Sequence, residues 1–230
     1  MKALISQDFA QEFARAAGIE VVPLKPYFRL DLPVASHADM LFSVVDNKIF
    51  CYKDYTNENN LLSTLESSGK EIVFVSNICD PTYPKDVSLN VLWIGETLIC
   101  NVKSVAKEIL KYAKEKGYEI VDVKQGYAAC STLVLNKNCA ITTDKTILCA
   151  LESVGKRALL ISSNGISLEG YNCGFIGGAS GILGDTVFVF GQIDTLAHAN
   201  DILEFCKSEN IVIKSISSGG VCDFGGIKLI

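Results

Sequence analysis

No stretch of this chain is rich in lysine or arginine, and its formal net charge is −5. That balance argues against nucleic acid or an anionic membrane surface as a partner. No apolar run is long enough to cross a bilayer. The opening Met1-Lys2-Ala3-Leu4-Ile5-Ser6-Gln7-Asp8 turns polar too soon for a signal peptide, so a cytoplasmic protein is expected. There is no Cys-x-x-Cys, and the only two histidines, His37 and His198, do not sit among the cysteines. This argues against zinc; no metal and no other cofactor is expected. Charged residues make up only 20% of the chain against 49% hydrophobic, a composition that buries a full core rather than staying disordered. Arginine is scarce as well: Arg15, Arg29 and Arg157. Arg29, upstream of His37, is the one placed to meet a substrate carboxylate, although a surface role is the ordinary fate of an arginine.

Cysteine is abundant instead, with nine residues at 51, 79, 100, 130, 139, 149, 173, 206 and 222. Without a secretion signal, disulfides are not expected. Most of these cysteines read as small buried hydrophobes.

The chain repeats itself. Two apolar arms flank a polar two-residue turn at Asp46-Asn47, Gly95-Glu96, Asn136-Lys137 and Gly184-Asp185. Each hairpin is followed by a helical pattern and then a further apolar strand. The helices are expected over 56–67, from Ser104 to Gly117, from Thr143 or Asp144 to just before Gly155, and over 199–207. The first arm of the first hairpin is expected as a strand over 38–45. At the N-terminus a strand at 3–5 runs into a Ser6-capped helix stopped by Gly18, and a strand follows at 19–24. The closing stretch Gly219-Gly220-Val221-Cys222-Asp223-Phe224-Gly225-Gly226-Ile227-Lys228-Leu229-Ile230 is a first arm without its second; residues 3–5 supply the missing arm. Five strand–strand–helix–strand units, roughly 46 residues each, therefore fill residues 1–230 as a single domain. A repeat that joins its own ends favours a ring, because pairing across the join removes open edges. The expected fold is α/β, a five-bladed pseudo-symmetric propeller closed by the N- and C-terminal strands.

In such a ring the starts of the first arms converge on one axis. Here they carry His37-Ala38-Asp39, Asn90, Cys130-Ser131, Ala179-Ser180 and Cys222-Asp223. The glycine-rich run before Ser180 (Gly174, Gly177, Gly178, Gly181) lacks the Gly-Lys-Ser/Thr ending and the following helix of a phosphate loop. Close backbone packing at the axis is the better reading of it. His198 reads as a helix-start residue rather than a catalyst.

This five-fold architecture resembles the pentein fold, an α/β propeller shared by guanidine-modifying enzymes and by a non-catalytic ribosome anti-association factor. Two stretches are similar in detail. His37-Ala38-Asp39-Met40-Leu41-Phe42 resembles the family's His-x-Asp segment, and Ala129-Cys130-Ser131-Thr132-Leu133-Val134-Leu135-Asn136-Lys137 resembles the nucleophile segment of the dimethylarginine hydrolases. The resemblance implies a Cys130 nucleophile and a His37 general acid/base, with His37 two units before Cys130 as in the family. It also implies Asp39 and Asp223 as holders of a guanidinium, in a circularly shifted unit order. Asn90, Ser180 and Cys222 complete the expected substrate-binding set, with Cys222 the rival thiol. The chemistry would be Cys-dependent hydrolysis or transfer at a C–N bond of a small guanidino or amidino compound, by arginine-deiminase-like or amidinotransferase-like steps. One departure stands out: where deiminases place an acid in the unit after Cys130, this chain has glycine. The alternative is a ring that binds a ligand without chemistry. A small molecule is the expected partner, and a homodimer is left open.

Overall fold

Two-residue turns after short β-branched and aromatic runs fold this chain into hairpins, and at three of the four turns Asp46, Gly95 or Gly184 supplies left-handed backbone. In the computed structural model, which describes all 230 residues, β1 (Lys2–Ser6) leads through α1 (Ala10–Ala17) to β2 (Glu20–Leu24). A short α2 (Ala38–Leu41) then opens the hairpin β3 (Phe42–Val45) and β4 (Lys48–Cys51), and α3 (Lys53–Glu58) and α4 (Leu62–Glu66) lead to β5 (Glu71–Phe74). The third unit is β6 (Leu92–Ile94), β7 (Thr97–Cys100), α5 (Lys107–Lys116) and β8 (Glu119–Asp122). The fourth is β9 (Thr132–Asn136), β10 (Cys139–Thr142), α6 (Lys145–Ser153) and β11 (Arg157–Leu160). The fifth is β12 (Ser180–Leu183), β13 (Thr186–Val189), α7 (Ala199–Ser208) and β14 (Val212–Ser215), and the chain ends in β15 (Lys228–Leu229).

These strands make five three-stranded sheets with one pattern. The first strand pairs antiparallel with the second, and the second pairs parallel with the third across the helical crossover. One sheet joins the two ends of the chain: β15 lies antiparallel to β1, which lies parallel to β2. Lys2 and Ile230 exchange both backbone hydrogen bonds at 2.8 Å. Phe13 on α1 meets Phe188 of β13 edge-on at 5.3 Å, tying this terminal sheet to the fifth unit.

The first strands also touch one another. β15 packs on β3, β6 on β9, and β9 on β12. The Trp93 indole N–H donates to Ser43 Oγ at 2.9 Å, joining β6 to β3. Gly181 of β12 lies flat against Ile227, beside β15; a Cβ there would come within 2.5 Å of its side chain. A cavity of about 290 Å³ is lined by first-strand residues of all five sheets, among them Val44, Trp93, Leu133, Gly181 and Lys228.

Several local expectations shift. Residues 38–41 form a helical turn rather than the start of a strand, because Ala-Asp-Met-Leu lacks the β-branched residues that begin at Val44. The helix expected at 56–67 breaks in two at Asn59-Asn60, where Asn60 adopts φ 55°. The turn in the fourth unit falls at Lys137-Asn138, one residue later than expected, with a bulge at Cys139/Ala140. Ser6 does not cap α1; its hydroxyl bonds Ser36 Oγ at 2.8 Å. Ser104 does not cap α5 either, since it donates to the Asn101 carbonyl. Asp144 does cap α6, its Oδ1 accepting from the N–H groups of Thr146 (2.7 Å) and Ile147 (3.0 Å). Gly18, Gly117 and Gly155 all stand left-handed at or beside helix ends, as read from the sequence. All nine thiols are free and six are buried, which fits the reading of cysteine as a small hydrophobe.

The caps give a direct test. Asp144→Ala should cost about 1 kcal/mol in urea unfolding, while Ser104→Ala should cost a small fraction of that. Equal losses would show that the helix starts are not what hold these turns.

Candidate active site

Cys130 ends a tight turn of small residues that opens β9. The Ser131 N–H donates back to the Tyr127 carbonyl at 2.9 Å, and its hydroxyl donates to the same oxygen. The turn packs against backbone: a Cβ on Gly177 would lie 2.3 Å from the Ala129 carbonyl oxygen and 2.7 Å from that of Cys130. Asn90, just before β6, holds the turn from the other side. Its Oδ1 accepts from the N–H groups of Ala129 (2.8 Å) and Cys130 (3.2 Å), and its amide donates to the Cys130 sulfur at 2.9 Å. The Cys130 thiol in turn donates to Asp39 Oδ2 at 3.0 Å.

His37 sits at the start of α2 with extended backbone, and its carbonyl takes the first hydrogen bonds of that turn. Gly225 makes room for it. Gly225 has φ +85°, and a Cβ there would lie 2.2 Å from that of His37, so both conformation and space demand glycine. The Gly225 carbonyl accepts from the Asp39 N–H at 3.0 Å. Asp223 faces the same place. Its Oδ1 accepts from the Gly225 N–H (3.0 Å), an Asx turn, and its Oδ2 accepts from the Phe175 N–H (2.9 Å). Gly178 lies flush on this carboxyl; a Cβ there would stand 2.0 Å from Oδ1.

His37, Cys130 and Asp223 thus come from three separate stretches to line one cavity of about 260 Å³. The other expected site residues lie elsewhere. Asn90 and Asp39 are behind Cys130 rather than on this cavity. Asp39 and Ser180 line the 290 Å³ cavity of the first strands, where the Ser180 hydroxyl donates to the Ile176 carbonyl. Cys222 lines a third cavity of about 370 Å³ that shares the wall formed by His37, Leu168 and Asp223. Arg29 is on neither; its Nε pairs with Asp54 Oδ2 at 3.0 Å in a surface cleft. His198 stands at the start of α7 against Asp201, 3.1 Å away. Tyr127, Tyr171, Phe175 and Met40 also line the 260 Å³ cavity, and sequence reasoning missed all four. The signal was slight: Tyr127 stands three residues before Cys130, and Phe175 interrupts the glycine run.

The electrostatics of this cluster are unusual in one respect: two carboxyls and a thiol are buried together, and Lys228, bearing on Asp39, is the one cation that acts on them. Burial, followed by the nearby charges of Asp39 and Asp223, drives the Cys130 thiol well above its ordinary range. Burial likewise raises Asp39 to about 6, with Lys228 opposing, and raises Asp223 to about 7, with Asp39 adding to the rise. Burial pushes the His37 imidazole down to about 3. His37 Nδ1 lies 3.8 Å from Asp223 Oδ1, too long for a hydrogen bond. With the ring neutral, it is a polar contact rather than an ion pair. In the empty site at neutral pH, Cys130 is a thiol and His37 a neutral base.

Residues 3–228 match the family model described as "Family of unknown function (DUF6873)". The chain belongs to the DUF6873 family. No curated protein matches it in sequence. Solved structures do match in shape. They include SxtG, an amidinotransferase of Microseira wollei from the saxitoxin biosynthetic pathway (11% identity, 95% of this chain and 76% of that one, TM-score 0.58). They also include the dimethylarginine dimethylaminohydrolase of Pseudomonas aeruginosa complexed with citrulline (10% identity, 93% and 84%, TM-score 0.58) and the agmatine deiminase of C. jejuni (12% identity, 93% and 74%, TM-score 0.52). All three are members of the pentein superfamily, and this DUF6873 chain shares their fold.

Within this DUF6873 site, two substitutions test the geometry. Asn90→Ala strips acceptors from two buried N–H groups and should cost at least about 2 kcal/mol in urea unfolding. Asp223→Asn tests the electrostatics. A carboxyl raised to about 7 in the fold and lying near 4 when unfolded favours the native state only below its unfolded pKa; that contribution is lost as pH rises from about 4 to about 7. His37 runs the other way and is unchanged by the substitution. Wild-type stability should therefore fall relative to Asp223→Asn by more than about 1 kcal/mol between pH 4.5 and 7.5. A constant difference would mean that Asp223 is ionised in the native protein throughout.

Proposed function

We propose that this protein is a cytoplasmic five-bladed α/β propeller that binds a small amidino or guanidino cation at the His37–Cys130–Asp223 cavity and cleaves or transfers one of its C–N bonds through Cys130. The observation that carries the reading is the meeting of a thiol, a carboxyl and a neutral imidazole on one cavity with no cation among them. A bound amidinium supplies the missing charge: it favours ionised Asp223 and draws the thiol toward thiolate. The cyclic contacts between the five first strands, and one cavity common to all five, support the ring. The pentein relatives found by shape are amidine- and guanidine-directed by name, which supports the substrate class.

The first proton step follows a hydrogen bond. Cys130 passes its proton to Asp39, and the sulfur bonds to the amidinium carbon. The C–N bond breaks as the departing amine takes that proton. Water, or an acceptor amine in a transfer, then attacks the carbon of the covalent intermediate. Neutral His37 takes the proton released and returns it to the sulfur as the C–S bond breaks. Asp223 holds the cation throughout.

A second reading, a binding ring without chemistry, is favoured by one specific feature: Cys130 is fully enclosed, donates to Asp39 and resists ionisation. The two readings part in a panel of amidines and guanidines assayed for release of amine. Under the first, wild type turns over at least one compound, Cys130→Ser does not, and His37→Ala accumulates an adduct on Cys130 visible by intact mass. Release at wild-type rate by Cys130→Ser would remove Cys130 from the mechanism, and binding without turnover or adduct would leave the ring a receptor. In either case affinity for the cation should strengthen from pH 5 to pH 8, because Asp223 must lose its proton to hold it.

A further inference from the structure

The walls of the 260 Å³ cavity differ in kind from its base. Eight of its eleven lining residues are hydrophobic, and neither lysine nor arginine is among them. Tyr127 and Phe175 stack on one side with ring centroids 6.4 Å apart, Tyr83 extends the aromatic wall behind Tyr127 at 5.8 Å, and Tyr171 stands at the rim, 44% exposed. The charges behind these rings are negative. The Tyr127 hydroxyl donates to Asp86 Oδ2 in a short hydrogen bond, and the other oxygen of that buried carboxyl has no partner. Burial, and then the charges of Asp31 and Asp86, raise the Tyr171 phenol. Arg29, the arginine that could have met a substrate carboxylate, is committed to Asp54 in another cleft.

Resting on the amidine reading above, we infer that the ligand of this cavity is a hydrophobic cation, an aryl- or alkyl-substituted amidine or guanidine without a carboxylate, and not an amino acid. Two physical terms select it. Aromatic rings attract a cation to their faces, and carboxylates set behind them strengthen the field. An α-carboxylate brought into the same cavity loses its hydration and meets Asp223, with Asp86 behind Tyr127 and no compensating positive group in the lining. The glycines that replace the acid expected after Cys130 fit this reading, since Gly174 and Gly178 bring backbone against Asp223 and leave the polar base small.

Calorimetric titration of the intact protein at pH 7.5 tests the inference with benzamidine, benzamide, arginine and arginine methyl ester. Benzamidine should bind at least about tenfold tighter than arginine, and the methyl ester tighter than arginine. Tyr171→Ala, a rim residue whose removal leaves the core intact, should weaken benzamidine by about fivefold to tenfold and leave arginine unchanged. Arginine binding as tightly as benzamidine or as its own ester overturns the inference and leaves the amidine reading standing. Benzamide binding as tightly as benzamidine overturns the amidine reading itself, and the inference with it. No binding by any of the four overturns both.

Discussion

Two carboxyls and a thiol are buried together in this protein with almost nothing positive beside them. Lys228 bears on Asp39 alone. Low-dielectric burial of like acids is costly when they are ionised, and the cluster avoids that cost by keeping its protons. Much else follows from this arrangement. His37 stays neutral because burial outweighs a carboxyl 3.8 Å away that is itself partly protonated. Cys130 stays a thiol because Asp39 accepts from it while burial and two neighbouring carboxyls oppose its ionisation. On the proposed reading a site built this way receives charge, since a cation entering it relieves several raised acids at once.

The fold concentrates these groups by backbone rather than side-chain packing. First strands of all five sheets line one cavity, and around it a Cβ is often one atom too many. Gly177 lies on the carbonyls of the Cys130 turn, Gly178 on the Asp223 carboxyl, and Gly225 on His37. Each glycine gives up conformational restriction in the unfolded chain, which disfavours folding, and each makes room for one side chain or turn of the candidate site. Asn90 compensates by satisfying both orphan N–H groups of the turn with one oxygen. The terminal sheet completes the arrangement: without β15 the segment that carries Asp223 and Gly225 would have no strand to anchor it to β1.

The repeat was legible in the sequence because its signals are local. A polar turn between two apolar arms at Asp46-Asn47, Gly95-Glu96 and Gly184-Asp185 needs no knowledge of the rest of the chain, and the glycines at helix ends are equally self-contained. The joining of Lys228–Leu229 to residues 2–6 could be read because one end lacked an arm and the other offered it. The candidate site was legible as a set of residues but not as an arrangement. His37, Cys130 and Asp223 do meet on one cavity, whereas Asp39 and Asn90 turn out to stand behind the sulfur, and Cys222 opens onto the next cavity. Which face of an axis a side chain takes depends on a helical turn at 38–41 and an Asx turn at 223–225, and neither leaves a periodic mark. The aromatic wall was invisible for a similar reason. Tyr127, Tyr171 and Phe175 lie in loops, where hydrophobic periodicity carries no information.

Whether such a site performs chemistry depends on where the thiol proton can go. In the empty protein it has one acceptor, Asp39, at 3.0 Å, while the imidazole shows no bond to the sulfur. A Cys–His pair, in which the ring directly activates the thiol, is therefore not the resting arrangement. On the proposed mechanism, ligand charge comes first. A cation at Asp223 lowers the thiol's resistance to ionisation, Asp39 takes the proton, and His37 serves only once an intermediate has formed. That order makes reactivity conditional on occupancy by a positively charged ligand. An enclosed, neutral Cys130 gives little reaction with adventitious electrophiles, and the same burial that argues against a standing thiolate protects the site until a cation arrives.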